Sequence, residues 1–255
     1  MSDDLHRTFT VGPRVRIEAS TGSGDIVVSP GTPGTVAVRV DGGAGSYLAE
    51  QSGDSIIVKP AKSGFFSRFG GADVFLEVPE GAELSLSCSS GDTMVNVSAQ
   101  EIEASSASGD IRVQRIERSG RLRCASGDIS VGDVGEGLVV TSASGSIRVG
   151  EIGRTLSVTS GSGDITIGAV GETAQLKAAS GDITVGRFDG TELTAKTLSG
   201  DLKLGLPPRR LLDVDLQTMS GDVRNRLPAG DGSPPERTVA LRVTTVSGNV
   251  TLRGA

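Results

Sequence analysis

The chain has 255 residues, a formal net charge of −6 at pH 7 and a pI near 5.0, with 37 glycines, one tyrosine and no tryptophan. Such a balance disfavours nucleic acid and anionic membrane as partners, because a net negative surface is repelled by both. No run approaches the roughly 18 apolar residues of a spanning helix. The polar start Met1-Ser2-Asp3-Asp4-Leu5-His6-Arg7 lacks the apolar core of a signal peptide, so the expected address is the cytoplasm.

In chain order, residues 8–29 read as a first coil, with Ile17, Ala19 and Thr21 alternating inward ahead of Ser23-Gly24-Asp25-Ile26. Residues 36–40, 47–51 and 55–58 read as strands between glycine-rich turns. Ser52-Gly53-Asp54 is expected to be a hairpin corner and not a rung, since a rung would point Glu50 inward. This irregular, strand-rich stretch is expected to cover the amino-terminal end of the repeats further along the chain, because an open sheet edge invites pairing. Within residues 63–71, three of the six phenylalanines (Phe65, Phe66 and Phe69) crowd around Arg68 between glycines. Folded back they would plug the core or its end. Exposed, Phe65, Phe66, Arg68 and Phe69 would make a contact for a partner or a lipid surface. Residues 74–79 then lead into a ladder.

That ladder is a repeat of Ser-Gly-Asp or a near copy. Its glycine recurs at Gly91, Gly109, Gly127, Gly145, Gly163 and Gly181, always 18 residues apart, then at Gly200, Gly221 and Gly248. Seven, five and three places before the glycine stand apolar or small residues: Leu84, Leu86 and Cys88; Leu156, Val158 and Ser160; Val214, Leu216 and Thr218; Leu241, Val243 and Thr245. After it a second strand places Ile111 and Val113, Ile129 and Val131, Ile147 and Val149, Ile165 and Ile167, Ile183 and Val185 on one face. Arg112, Ser130, Arg148, Thr166 and Thr184 fall on the other. A third apolar place comes next at Ile116, Val134, Ile152, Val170 and Phe188, with Gly135, Gly153 and Gly171 at the opposite corner.

Two strands and two corners in 18 residues make one coil of a parallel, right-handed β-solenoid, each coil pairing with the next at about 4.8 Å. No single repeat buries its apolar face; several stacked repeats do. A left-handed hexapeptide helix would need an aliphatic residue every sixth place, and counting from Ile129 that lands on Gly135 and Thr141. A calcium-binding β-roll would need an Asp in each half-coil, and only one corner regularly carries it. The fold class is therefore all-β, with a first coil and capping region over residues 1–80 and the repeat region over 81–255 as one elongated domain. After residue 204 the loops 205–210 and 228–235 interrupt the register, and long corner insertions of this kind cost little. Cys88 and Cys124 occupy one column two coils apart, about 9.6 Å along the axis. That exceeds the roughly 7 Å a disulfide tolerates, so both are expected as reduced column fillers.

The Ser-Gly-Asp-Ile-x-Val rungs, the Val78-Pro79-Glu80-Gly81 lead-in and the strand-rich start resemble the bacterial β-strand-repeat family labelled putative adhesins (domain of unknown function 4097). The resemblance runs over about residues 8–252. It implies a solenoid and, through the adhesin label, a surface location. It supplies no catalytic residues.

The residues themselves offer little chemistry. The Asp ladder is Asp92, Asp110, Asp128, Asp164, Asp182, Asp201 and Asp222. Asp110, Asp128, Asp164 and Asp182 could hold Ca²⁺, which favours carboxylates. Alternatively, each side chain accepts a hydrogen bond from its own turn. Ser146 and Asn249 in the ladder keep such a bond without the charge, so the structural reading is preferred. Arg112, Arg115, Arg118, Arg121 and Arg123 could receive an anion, yet Glu101, Glu103 and Glu117 lie close enough in sequence to neutralise them. The only histidine, His6, is expected to fray with the terminus, leaving no site for histidine-based acid–base or metal chemistry. No catalytic residue, metal or cofactor is expected. The functional expectation is a non-enzymatic binding or scaffold module for an unidentified protein partner. The alternatives are a self-associating structural rod and a surface adhesive or glycan-interacting protein.

Overall fold

The computed structural model describes residues 4–42, 46–61, 71–228 and 237–255. The cluster of Phe65, Phe66, Arg68 and Phe69 lies outside them. Contacts divide the chain into two compact units, Met1–Gly132 and Asp133–Ala255. The described residues contain strands and no α-helix, hence no helix long and apolar enough to cross a membrane.

The first unit holds β1 (Leu5–Thr10), β2 (Arg16–Ser23), β3 (Ile26–Pro30), β4 (Thr35–Asp41), β5 (Tyr47–Ser52), β6 (Ser55–Pro60), β7 (Asp73–Val78), β8 (Ala82–Ser90), β9 (Thr93–Ser108) and β10 (Ile111–Ser126). β2 and β3 form the expected first coil, pairing in parallel with β8 and β9 of the next. β9 and β10 are 16 residues each, because the second strand of one coil runs on into the first strand of the following one. Their pairing sets Ile111 beside Thr93 and Leu122 beside Ala104. Along one buried column Ala19, Leu86, Ala104 and Leu122 alternate small and large, so each leucine fills the space its alanine neighbours leave.

On the other side of the first coil the pattern changes. β6 pairs in parallel with β2 and antiparallel with β5. β7 pairs in parallel with β3 and antiparallel with β4, which in turn pairs antiparallel with β1. These strands satisfy backbone groups that the first coil would otherwise present as an edge. The β5–β6 hairpin turns at Gly53 (φ 61°), with Glu50 exposed, as the sequence indicates.

β11 (Ile129–Val134) runs across the division. The second unit holds β12 (Gly137–Ser144), β13 (Ile147–Ile152), β14 (Thr155–Ser162), β15 (Ile165–Val170), β16 (Thr173–Ser180), β17 (Ile183–Phe188), β18 (Glu192–Ser199), β19 (Leu202–Leu206), β20 (Arg210–Ser220), β21 (Val223–Arg226), β22 (Arg237–Ser247) and β23 (Val250–Gly254). β12, β14, β16 and β18 stack in parallel on one side, and β13, β15, β17 and β19 on another. Ile147, Ile165 and Ile183 share one fully buried column. The inward hydroxyls of Ser142, Ser160 and Thr197 each donate to the carbonyl two residues on, at Ser144, Ser162 and Ser199. Closing that bond locally lets a hydroxyl occupy an apolar column without a desolvation cost.

The last two rungs stand out of sequence order. β18 pairs with β22, and β20 joins the far edge of β22; β19, β23 and β21 are arranged likewise. The Gly200 N–H donates to the Ser247 carbonyl and the Gly248 N–H to the Ser220 carbonyl. The Gly248 rung thus sits between those of Gly200 and Gly221. Val214, expected inside with Leu216 and Thr218, is instead 40% exposed, and Leu216 and Thr218 are partly exposed. Their column ends there, because among the described residues β20 has β22 as its one strand partner. Composition agrees: the inward place filled by Leu204 and Leu252 holds Asn225 in this outermost rung.

Candidate binding surfaces

At each rung corner the glycine takes a positive φ, 134° at Gly109, and lets the next residue aim its side chain along the stack. The aspartate after it does not close on its own turn. Its Oδ1 accepts the backbone N–H of the equivalent residue in the neighbouring rung. Thus the Asp92 N–H donates to Asp25, that of Asp110 to Asp92 and that of Asp128 to Asp110, at 2.8–2.9 Å. In the second unit the Asp182 N–H donates to Asp164, that of Asp201 to Asp182, that of Asn249 to Asp201 and that of Asp222 to Asn249, at 2.8–3.0 Å. Asn249 can replace Asp because its amide oxygen accepts the same bond. The ladder therefore ties rung to rung. Of the four aspartates with a calcium-type ligand set, Asp110, Asp164 and Asp182 each have one oxygen committed to backbone.

Arg112 bridges the outer oxygens of Asp92 and Asp110, reducing the repulsion within the row. The Asp110 N–H, together with the Arg112 guanidinium and against the opposing effect of burial, holds the Asp92 carboxyl below the ordinary carboxylate range. A carboxyl depressed in the folded state stabilises fully above its unfolded pKa of about 3.9, and that contribution is lost as pH falls through the lower folded value. The urea midpoint should therefore hold between pH 7 and 5 and drop below about pH 4. Asp92→Asn keeps the acceptor and removes the titration, so its midpoint should drop less over the acid range. An equal drop would show that Asp92 does not contribute to the acid sensitivity.

Within the arginine cluster, Arg118 pairs with Glu101 at 3.4 Å and Arg123 with Glu103 at 3.1 Å. Cys88 and Cys124 are free, buried and separated in their column by Ser106; burial pushes both thiols up. His6 departs from expectation. It does not fray, because β1 is held in full antiparallel register on β4, with His6 opposite Arg39.

Exposed apolar side chains concentrate in the last three rungs, and the sequence reading missed them. Two places before the rung glycine stand Leu198 (61% exposed), Val246 (41%) and Met219 (84%), where Ala143, Gly161 and Ala179 stand in earlier rungs of the same unit. Aligning that one position would have revealed the change from small to large. On β20 and β21, Leu211 (55%), Val214 and Val223 (47%) add to the apolar surface.

The chain resembles a Bacteroides fragilis protein described as a putative adhesin, with 14% identity over 98% of this chain and 96% of that one and a TM-score of 0.46. It also resembles a Parabacteroides distasonis putative adhesin, with 12% identity over 97% and 96% and a TM-score of 0.41. A third neighbour, from the same species, is described as a putative lipid binding protein, with 14% identity over 96% of each chain and a TM-score of 0.43. No curated protein matches the sequence. The family model of Toastrack DUF4097 matches residues 14–253, nearly the whole chain, and the protein belongs to that β-solenoid family.

Proposed function

We propose that the protein is a non-enzymatic binding module whose second unit receives an extended segment of a protein partner along the outer edge of β20. The observation that carries this reading is the outermost rung. Its inward column at Val214 and Val223 is exposed, and β20 has one strand partner among the described residues. An unpaired parallel edge offers a row of backbone donors and acceptors, and alternating apolar side chains give an added strand its register. Asp213 and Asp215 face away from that column on β20 and favour a basic segment. Peptides selected from a random display library should alternate apolar and basic residues. They should lose binding to Val214→Lys, a change at an already exposed position that leaves folding intact. Selected peptides that bind this variant equally well would remove the edge from the account.

The same edge supports a second reading, in which its occupant is another copy of the chain. Light scattering across a wide concentration range separates the two. A mass near 25.9 kDa throughout is the result expected for a partner-binding edge. Mass that grows with concentration, and stops growing in Val214→Lys, would make self-association the function.

A further inference from the structure

The β1–β4 register, with Leu5 opposite Val40 and His6 opposite Arg39, sets Asp4 across from Asp41. One ligand atom from each of Asp4, His6 and Asp41 lies within 4.8 Å of the others. Asp41 has unequal oxygens. Its Oδ2 pairs with Arg39 at 2.8 Å, and the same guanidinium lies 4.0 Å over the Phe75 ring. Its Oδ1 is buried and has no hydrogen-bond partner among the described residues. A buried carboxylate oxygen left unsatisfied costs free energy and points to a bound water or ion. His6 and Arg39 further line a groove of about 530 Å³ on the outer face of β1, β4, β7 and β3.

We propose that Asp4, His6 and Asp41 bind a divalent transition-metal cation of the zinc class. The imidazole decides the class: Ca²⁺ and Mg²⁺ take oxygen ligands, whereas Zn²⁺ combines imidazole nitrogen with carboxylate. Three protein ligands leave a coordination position open for water or a further ligand. The site draws on residues outside the match to the family model for Asp4 and His6, and inside it for Asp41. It is independent of the edge on β20.

The test is calorimetric titration of Zn²⁺ into the full, untagged chain, with visible absorption of the Co²⁺ form as a geometric readout. The expected result is one Zn²⁺ per chain, no heat with Ca²⁺, and a loss of affinity of more than about tenfold in each of His6→Ala and Asp41→Asn. Asp4 and His6 are exposed, so His6→Ala should keep the wild-type melting temperature. Absence of Zn²⁺ binding, or binding that survives His6→Ala unchanged, overturns the proposal. Equal binding of Ca²⁺ and Zn²⁺ would show a plain acidic cluster and overturns it too.

Discussion

Ile165→Asp is expected to destabilise the second unit by several kcal/mol, since it places an unpaired charge in a dry column. Ile165 is fully buried between Ile147 and Ile183, which pair with it from the two adjacent rungs. A carboxylate there loses its hydration and gains no partner, and its neighbours cannot move apart without breaking the strand ladder on both sides. Total stabilities of natural domains are about 5–15 kcal/mol, so the thermal transition should fall by tens of degrees or vanish. Thr166→Asp, one residue along and exposed, should shift stability by no more than about 0.5 kcal/mol. Denaturant titration of the pair measures the difference. Similar values for both would mean that the inward and outward faces have been exchanged.

Gly109→Ala is expected to be nearly as damaging, for a backbone reason. At φ 134° an added Cβ would lie 2.0 Å from the Gly91 carbonyl oxygen of the preceding rung. No side-chain rotation relieves that contact, so two rungs must separate. Strain at such a φ costs about 1–3 kcal/mol before the clash is counted. Gly53 supplies the control, with φ 61° and nothing within 4 Å of the added atom. Gly53→Ala should cost only the roughly 1–2 kcal/mol of a left-handed residue. A Gly109→Ala midpoint equal to that of Gly53→Ala would show that the corners have room to spare.

The repeat was legible because its two determinants are local. A period of two sorts side chains to faces, and a constant interval of 18 puts like residues beside like. Hence the columns of Ile147, Ile165 and Ile183 and the burial of Phe188 come directly from the alignment on glycine. What the sequence read less well depends on partners far along the chain. An Asp after a corner glycine can in principle accept from an amide of its own turn or from one in the neighbouring rung, and residue type does not choose between them. His6 looked free because its partner strand, β4, begins at Thr35. The order of the last rungs escaped notice because a loop can pass over one rung as easily as it joins two. A sign of it was nevertheless present. Asn225 breaks a column that Leu204 and Leu252 keep apolar, which suits the rung that has a strand partner on one side only among the described residues. Likewise Met219 and Leu198 stand where small residues suffice elsewhere.

The proposed edge exists only if the Gly248 rung is threaded between those of Gly200 and Gly221, and engineered disulfides test that threading directly. Lys203 pairs with Thr251, and Thr251 with Arg224, so Lys203 and Arg224 lie two rungs apart, about 9.6 Å. A disulfide spans at most about 7 Å between Cα atoms. With Cys88 and Cys124 replaced by serine, mild oxidation should close the bond in Lys203→Cys/Thr251→Cys and leave Lys203→Cys/Arg224→Cys as free thiols. A disulfide in the second pair and none in the first would restore sequence order to the rungs and contradict the account.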